Sequence, residues 1–376
     1  MKKSLLAVAV AAALPAAAFA QSNVTLYGLI DVGYSAKSWK NNGGTTNSKS
    51  SGIQDGVGGP NRFGLRGVED LGGGLKAEFV MEHGISATSQ RLTNERTVNS
   101  GHQVDAASVA TDGGRSTDSI NRQTYVGLSG GFGTLRGGYQ LTNAYMATSV
   151  GGFVYCSEGN EGCDVHVAAP YGGVRANGLT YISPRMGGLT LTLQYGAGTD
   201  LNTYYTSTAN NDLKQTRMSV MGNYDAGPLR VVLAHTSYKA GSAVTVGAVA
   251  PATTDAKLTQ LGATYDLKVA QLGLNWLAAN NGGTGAGERD TKGWQLSTSV
   301  PMGPALSLKA GIGNVKTENG SGTEVVDARS WQVGAAYAMS KRTTAYFYHG
   351  TRKDSAAAAG ALEQKTQTTV GVMHVY

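Results

Sequence analysis

RFGLRGVEDLGGGLKAEFVMEH, residues 62–83, holds two alternating segments joined by a run of glycines. In the first, Phe63 and Leu65 share one face and Arg62 and Arg66 the other; in the second, Ala77, Phe79 and Met81 oppose Lys76, Glu78 and Glu82. Side chains alternate across a β-strand with a period of two, so each segment is a strand with one apolar and one charged face. Leu71–Gly74 between them is a tight turn.

Outward from this hairpin the pattern repeats. In Asn23–Tyr34, Val24, Leu26, Ile30, Val32 and Tyr34 oppose Thr25, Tyr27 and Asp31. Leu189, Leu191, Leu193 and Tyr195 oppose Thr190, Thr192 and Gln194, while Trp331, Val333, Ala335 and Tyr337 oppose Gln332, Gly334 and Ala336. Short connections fall near 71–74, 130–133, 186–188, 225–228, 268–270, 301–304 and 339–341. Long polar ones fall near 35–61, 86–119, 143–176, 198–214, 240–255, 281–290, 317–328 and 351–363. Strict alternation of seven short and eight long connections makes sixteen antiparallel strands with both ends on the short-turn side, the arrangement of a transmembrane β-barrel.

Composition agrees. A 376-residue chain with 54 glycines and 18 tyrosines favours strands and turns over helices, and no Pro-rich linker or charged tract marks a domain boundary. Residues 1–20 differ from the rest: Lys2 and Lys3 precede an apolar run from Leu5, closing in Ala18-Phe19-Ala20. That is the form of a cleaved secretory signal, with the barrel unit over residues 21–376. Loss of Lys2 and Lys3 lowers the formal net charge from +6 to +4, too mild and too dispersed an excess for nucleic-acid binding. No later stretch approaches the length of apolar residues a membrane helix needs.

NVTLYGLIDVGY (23–34), RFGLRGVEDLGGGLKAEF (62–79), YVGLSGGFGTLRGGYQ (125–140), AYAMSKRTTAY (336–346) and the closing VGVMHVY (370–376) together resemble the general diffusion porins of Gram-negative outer membranes, of the beta-proteobacterial type. The resemblance covers the whole segment after the signal. It implies a homotrimer of 16-stranded barrels set in outer-membrane lipid and lipopolysaccharide, each with its third long loop folded inward. It also implies passive diffusion of ions and small hydrophilic solutes. A competing expectation is a barrel that merely anchors an adhesive or structural surface protein.

Residues 143–176 correspond to that third loop. They carry both cysteines, Cys156 and Cys163, and three acids, Glu158, Glu161 and Asp164. In an oxidising compartment the two cysteines are expected to pair, since SEGNEG between them includes two glycines that permit a tight return. The period-2 count sets Arg62, Arg66, Lys76, Arg136, Arg217, Arg230 and Lys309 on the non-apolar faces of their strands. In the porins that this chain resembles, a basic wall opposes acids on the inward loop. Arg62, Arg66 and Arg136 lie in matching motifs and are expected to form the constriction with Glu158, Glu161 and Asp164. Tyr139 stands where such porins often have Arg, which implies a weaker or displaced basic cluster. Tyr34, Tyr195, Tyr224, Tyr265, Tyr337 and Tyr348 lie near strand ends, where an aromatic girdle meets the headgroups.

Enzyme chemistry finds no support in the pattern. The six histidines are scattered and two cysteines are too few for a structural zinc site. Gly131-Phe132-Gly133 lacks the third glycine of a dinucleotide fingerprint. No cofactor and no metal site is expected.

Overall fold

The computed structural model describes residues 23–41, 43, 47–55, 58–88, 121–152, 175–198, 215–239, 255–280, 289–356 and 362–376. The first half of the wall comprises β1 (Asn23–Asn41), β2 (Asn47–Asp55), β3 (Arg62–Gly72), β4 (Leu75–Gly84), β5 (Asn121–Gly130), β6 (Gly133–Leu141), β7 (Arg175–Ile182) and β8 (Leu189–Gly198). The second comprises β9 (Gln215–Ala226), β10 (Leu229–Lys239), β11 (Ala256–Asp266), β12 (Gln271–Asn280), β13 (Arg289–Pro301), β14 (Leu306–Asn319), β15 (Glu324–Ala338), β16 (Thr343–Asp354) and β17 (Leu362–Val375). A short helix, α1 (Asn143–Ser149), follows β6.

All neighbours pair antiparallel, and β17 returns to β1 in continuous register from Leu29 opposite Val375 to Lys40 opposite Gln364. Closure of β17 on β1 leaves neither the first nor the last strand with an open edge, as hydrocarbon requires of backbone polar groups. The other side of β1 is shared. Its lower part pairs with β3, Asn23 opposite Val68 to Leu29 opposite Arg62, and its upper part with β2, Val32 opposite Asp55 to Lys40 opposite Asn47. Two segments thus make one broken stave, and the seventeen segments form a barrel of sixteen.

The two faces of the wall are inverted relative to a water-soluble protein. Val126 and Met218, each 63% exposed, share the outward face with Leu26, Leu193, Leu233, Val333 and Val370. Inward, Gln260, Gln295, Gln332, Gln367 and Thr369 are at most 1% exposed. A continuous apolar exterior around a polar interior matches a lipid solvent outside and water within. Tyr34, Tyr195, Tyr224, Tyr265 and Tyr337 stand on the outward face as a girdle requires. Tyr348 does not: it points inward, fully buried, and its hydroxyl accepts from Gln367 Nε2 at 2.7 Å.

All seven short connections are present as tight turns, Gly72, Gly73 and Gly74 adopting the left-handed conformation at φ 83°, 60° and 81°. Three long connections are shorter than the polar sequence implies. β1 and β2 take up most of 35–61, β14 and β15 meet across residues 320–323, and β16 runs on to Asp354. Above the hydrocarbon both faces of a strand meet water, so alternation fades and a strand such as EVVDARS has the polar composition of a loop.

Candidate functional site

The densest charge in the bore is on β3–β6. Arg62 and Arg66 project from the inward face of β3, and Glu78 and Glu82 from that of β4, whose partner positions are Val68 and Gly64. Glu82 is nearly buried. Its Oε1 accepts from Arg122 Nε at 2.8 Å, its Oε2 lies 3.7 Å from Arg62 Nε, and Tyr27 on β1 donates its hydroxyl to Oε2 at 3.1 Å. Tyr27 reaches Glu82 by lying across Gly64, where a Cβ would sit 2.6 Å from the Tyr27 ring.

One strand along, Arg136 Nε donates to Glu78 Oε1 at 2.5 Å. The pair bridges β5 over Gly127, whose missing Cβ would lie 2.9 Å from Arg136 Cγ and 3.1 Å from Glu78 Oε1. Two guanidiniums are braced by aromatic faces, Arg66 at 5.2 Å from the Tyr27 centroid and Arg136 at 4.9 Å from that of Tyr125, a cation–π arrangement. Arg62, Arg122 and Arg136 therefore engage two carboxylates with Arg66 stacked on Tyr27 in the same wall, and Arg175, which opens β7, is close enough to interact with Arg122. Among the described residues the local balance is positive.

Arg62, Arg66 and Arg136 thus share one stretch of the inward wall, where Arg62 meets Glu82 and Arg136 meets Glu78. Glu158, Glu161, Asp164, Cys156 and Cys163 lie outside the described residues, as does the signal segment 1–20. Lys76, Arg217, Arg230 and Lys309 are elsewhere: Arg217 donates to Asn177 O at 3.3 Å, and Arg230 sits 3.5 Å from Asp225 beside a short turn. Tyr139 pairs with Thr124, in the outward row of Met81. Position 139 is therefore on the opposite face of the wall from the inward arginines.

Arg122 escapes the sequence count for a physical reason. By strict alternation it shares the outward face of Val126 and Leu128. Between Glu82 and His83 the register slips, Glu82 opposing Gln123 and His83 opposing Asn121. Arg122 is the extra residue of that bulge and turns inward onto Glu82.

The opposite wall is nearly neutral and carries α1. Ala144 packs on Leu258, Leu277 and Ala279, and Ala147 and Val150 on Met221, Val232 and Ala234. Asn143 N–H donates to Gln194 Oε1 at 2.9 Å, and Ser297 Oγ donates to Gly151 O. Gly262 and Gly273 lack the Cβ atoms that would collide with Ala147 O and Gly151 O. Residues 143–152 therefore lie against the inward face of β8–β13. Gln260 and Asn275, between these contact points in the register, are at most 1% exposed, and their amide atoms make no hydrogen bond to any described residue.

A sequence profile of Gram-negative porins matches residues 7–357. The chain is a member of the Gram-negative porin family. This porin is 31% identical to outer membrane porin protein 32 of Delftia acidovorans over 99% of its own length and 95% of that protein's. An outer membrane porin of Bordetella pertussis is 28% identical, with coverage of 99% and 98%. Among solved structures, the anion-selective porin from Comamonas acidovorans superposes with a TM-score of 0.67 at 26% identity, covering 94% of this chain and 100% of that one. The porin is a channel of the Gram-negative outer membrane for passive diffusion of solutes, and its relatives are channel proteins.

Proposed function

We propose that this porin is an anion-preferring diffusion channel. The observation that carries the proposal is the wall of Arg62, Arg66, Arg122 and Arg136, which among the described residues engages the two carboxylates Glu78 and Glu82. Permanently charged guanidiniums facing a water-filled bore raise the local concentration of anions, and flux follows. The similarity to an anion-selective porin supports the same sign. Phosphate and carboxylate solutes fit the planar, multidentate donors that arginine presents.

In this reading residues 143–176 continue from α1 into the bore as the constriction loop. Glu158, Glu161 and Asp164 face the arginines across it, and a Cys156–Cys163 disulfide holds the acidic lobe. The functional unit is a homotrimer in lipid and lipopolysaccharide, formed after removal of residues 1–20. It catalyses no reaction and uses no cofactor. Reversal potentials in planar bilayers under a potassium chloride gradient test the proposal. The expected sign is anion-favouring at low salt, and a cation-favouring potential refutes it.

A further inference from the structure

The partner exchange along β1 leaves a turn, Gly58-Gly59-Pro60-Asn61, lying on the inward face of the barrel. Asp31, fully buried on β1, holds it. Asp31 Oδ2 accepts from Gly58 N–H at 2.5 Å and from Gly59 N–H at 2.6 Å, and its Oδ1 accepts from the Tyr346 hydroxyl at 2.6 Å. Its own N–H donates to Asn61 Oδ1 at 2.5 Å. From the far end of the turn, Pro60 O accepts from Arg62 Nη1 at 3.0 Å. A continuous path thus runs from the β16–β17–β1 seam to the charged wall.

We infer that Asp31 is a positioning residue for ion selectivity, acting through the inward turn 58–61 on Arg62. The inference rests on the anion-preferring reading of the wall. Arg62 lies 3.7 Å from Glu82 Oε2 while Pro60 O engages its other side. Released from Pro60, the guanidinium is drawn onto Glu82 and contributes less field to the bore.

Asp31→Asn removes the negative charge that strengthens the bonds from the Gly58 and Gly59 N–H groups, so the turn is held more weakly. The experiment compares reversal potentials of the wild type, Asp31→Asn, Arg62→Ala and the double variant in about 0.1 M salt, where charges act over about 10 Å. The expected result is an about twofold fall in the anion-to-cation permeability ratio for Asp31→Asn. No further fall is expected when Arg62→Ala is already present, because both changes act through one group. An unchanged ratio, or an equal fall with and without Arg62, overturns the inference. Should Asp31→Asn yield no folded barrel, Tyr346→Phe removes one of the donors to the carboxylate and is expected to lower the ratio in the same direction. Tyr346→Phe with an unchanged ratio, or failing to fold as well, overturns it, since Asp31 then serves barrel closure alone. A wild type without anion preference defeats the underlying reading instead, and is recognised before any variant is compared.

Discussion

The two sides of the bore are built from opposite materials. On β3–β6, Tyr27 and Arg136 reach across Gly64 and Gly127 to carboxylates on the far side of the intervening strand. On β10–β12, glycines at 262 and 273 and alanines at 234 and 279 clear a seat for the backbone of α1. Glycine does similar steric work in both places, yet one wall fills the space with guanidinium and the other with a covering segment. Charge and width are therefore set by different halves of the barrel, and changes on one side should leave the other property largely intact.

The sharpest way to break that division is to remove the charge. Neutralising Arg62, Arg66 and Arg136 together is expected to shift reversal potentials strongly toward cations at low salt while leaving single-channel conductance in concentrated salt nearly unchanged. The shift should shrink from about 0.1 M to about 1 M salt as the screening length falls from about 10 Å to about 3 Å. A large conductance change at high salt would mean that the arginines also set the width.

Gly262→Val probes the other wall. Its side chain enters the space occupied by Ala147 O and Val150, and overpacking of this kind costs about 1–3 kcal/mol, enough to unseat a helix of 7 residues. Single-channel conductance is expected to rise and grow noisier with the sign of selectivity preserved. A reversal of sign would show the walls to be coupled.

The smallest expected effect is that of Glu78→Gln, which frees Arg136 from its carboxylate. The pair is partly exposed, with side chains at 28% and 20%, and such pairs contribute about 0.2–1 kcal/mol. Heat stability should barely move, while anion preference measured by reversal potential should rise modestly.

Much of this was legible in sequence because lipid and water impose alternation. The seven tight turns and the inward placement of Arg62, Arg66 and Arg136 follow from where a period of two starts, stops and points. What was hidden lies where that period breaks. Arg122 sits in a bulge and is missing from the count of inward arginines, while residues 58–61 interrupt a stave inside what the sequence reads as a polar connection. The polar ends of β1, β2, β14 and β15 extend beyond the apolar band, where sequence carries no facial signal. Tyr348 failed for a related reason: its place near a strand end suggested a girdle, whereas its parity with Tyr346 points it into the bore.

The unpaired amides of Gln260 and Asn275 bear on time rather than shape. Buried polar groups without a partner in the protein each cost about 1–3 kcal/mol, a penalty that falls whenever α1 lifts and exposes them. The helix therefore rests on its wall at a discount, with a local opening free energy below what its apolar contacts alone imply. Amide hydrogen exchange should find residues 143–149 trading protons well ahead of the strands beneath them, and a conservative apolar replacement at Asn275 should slow that exchange while leaving the arginine wall as it is.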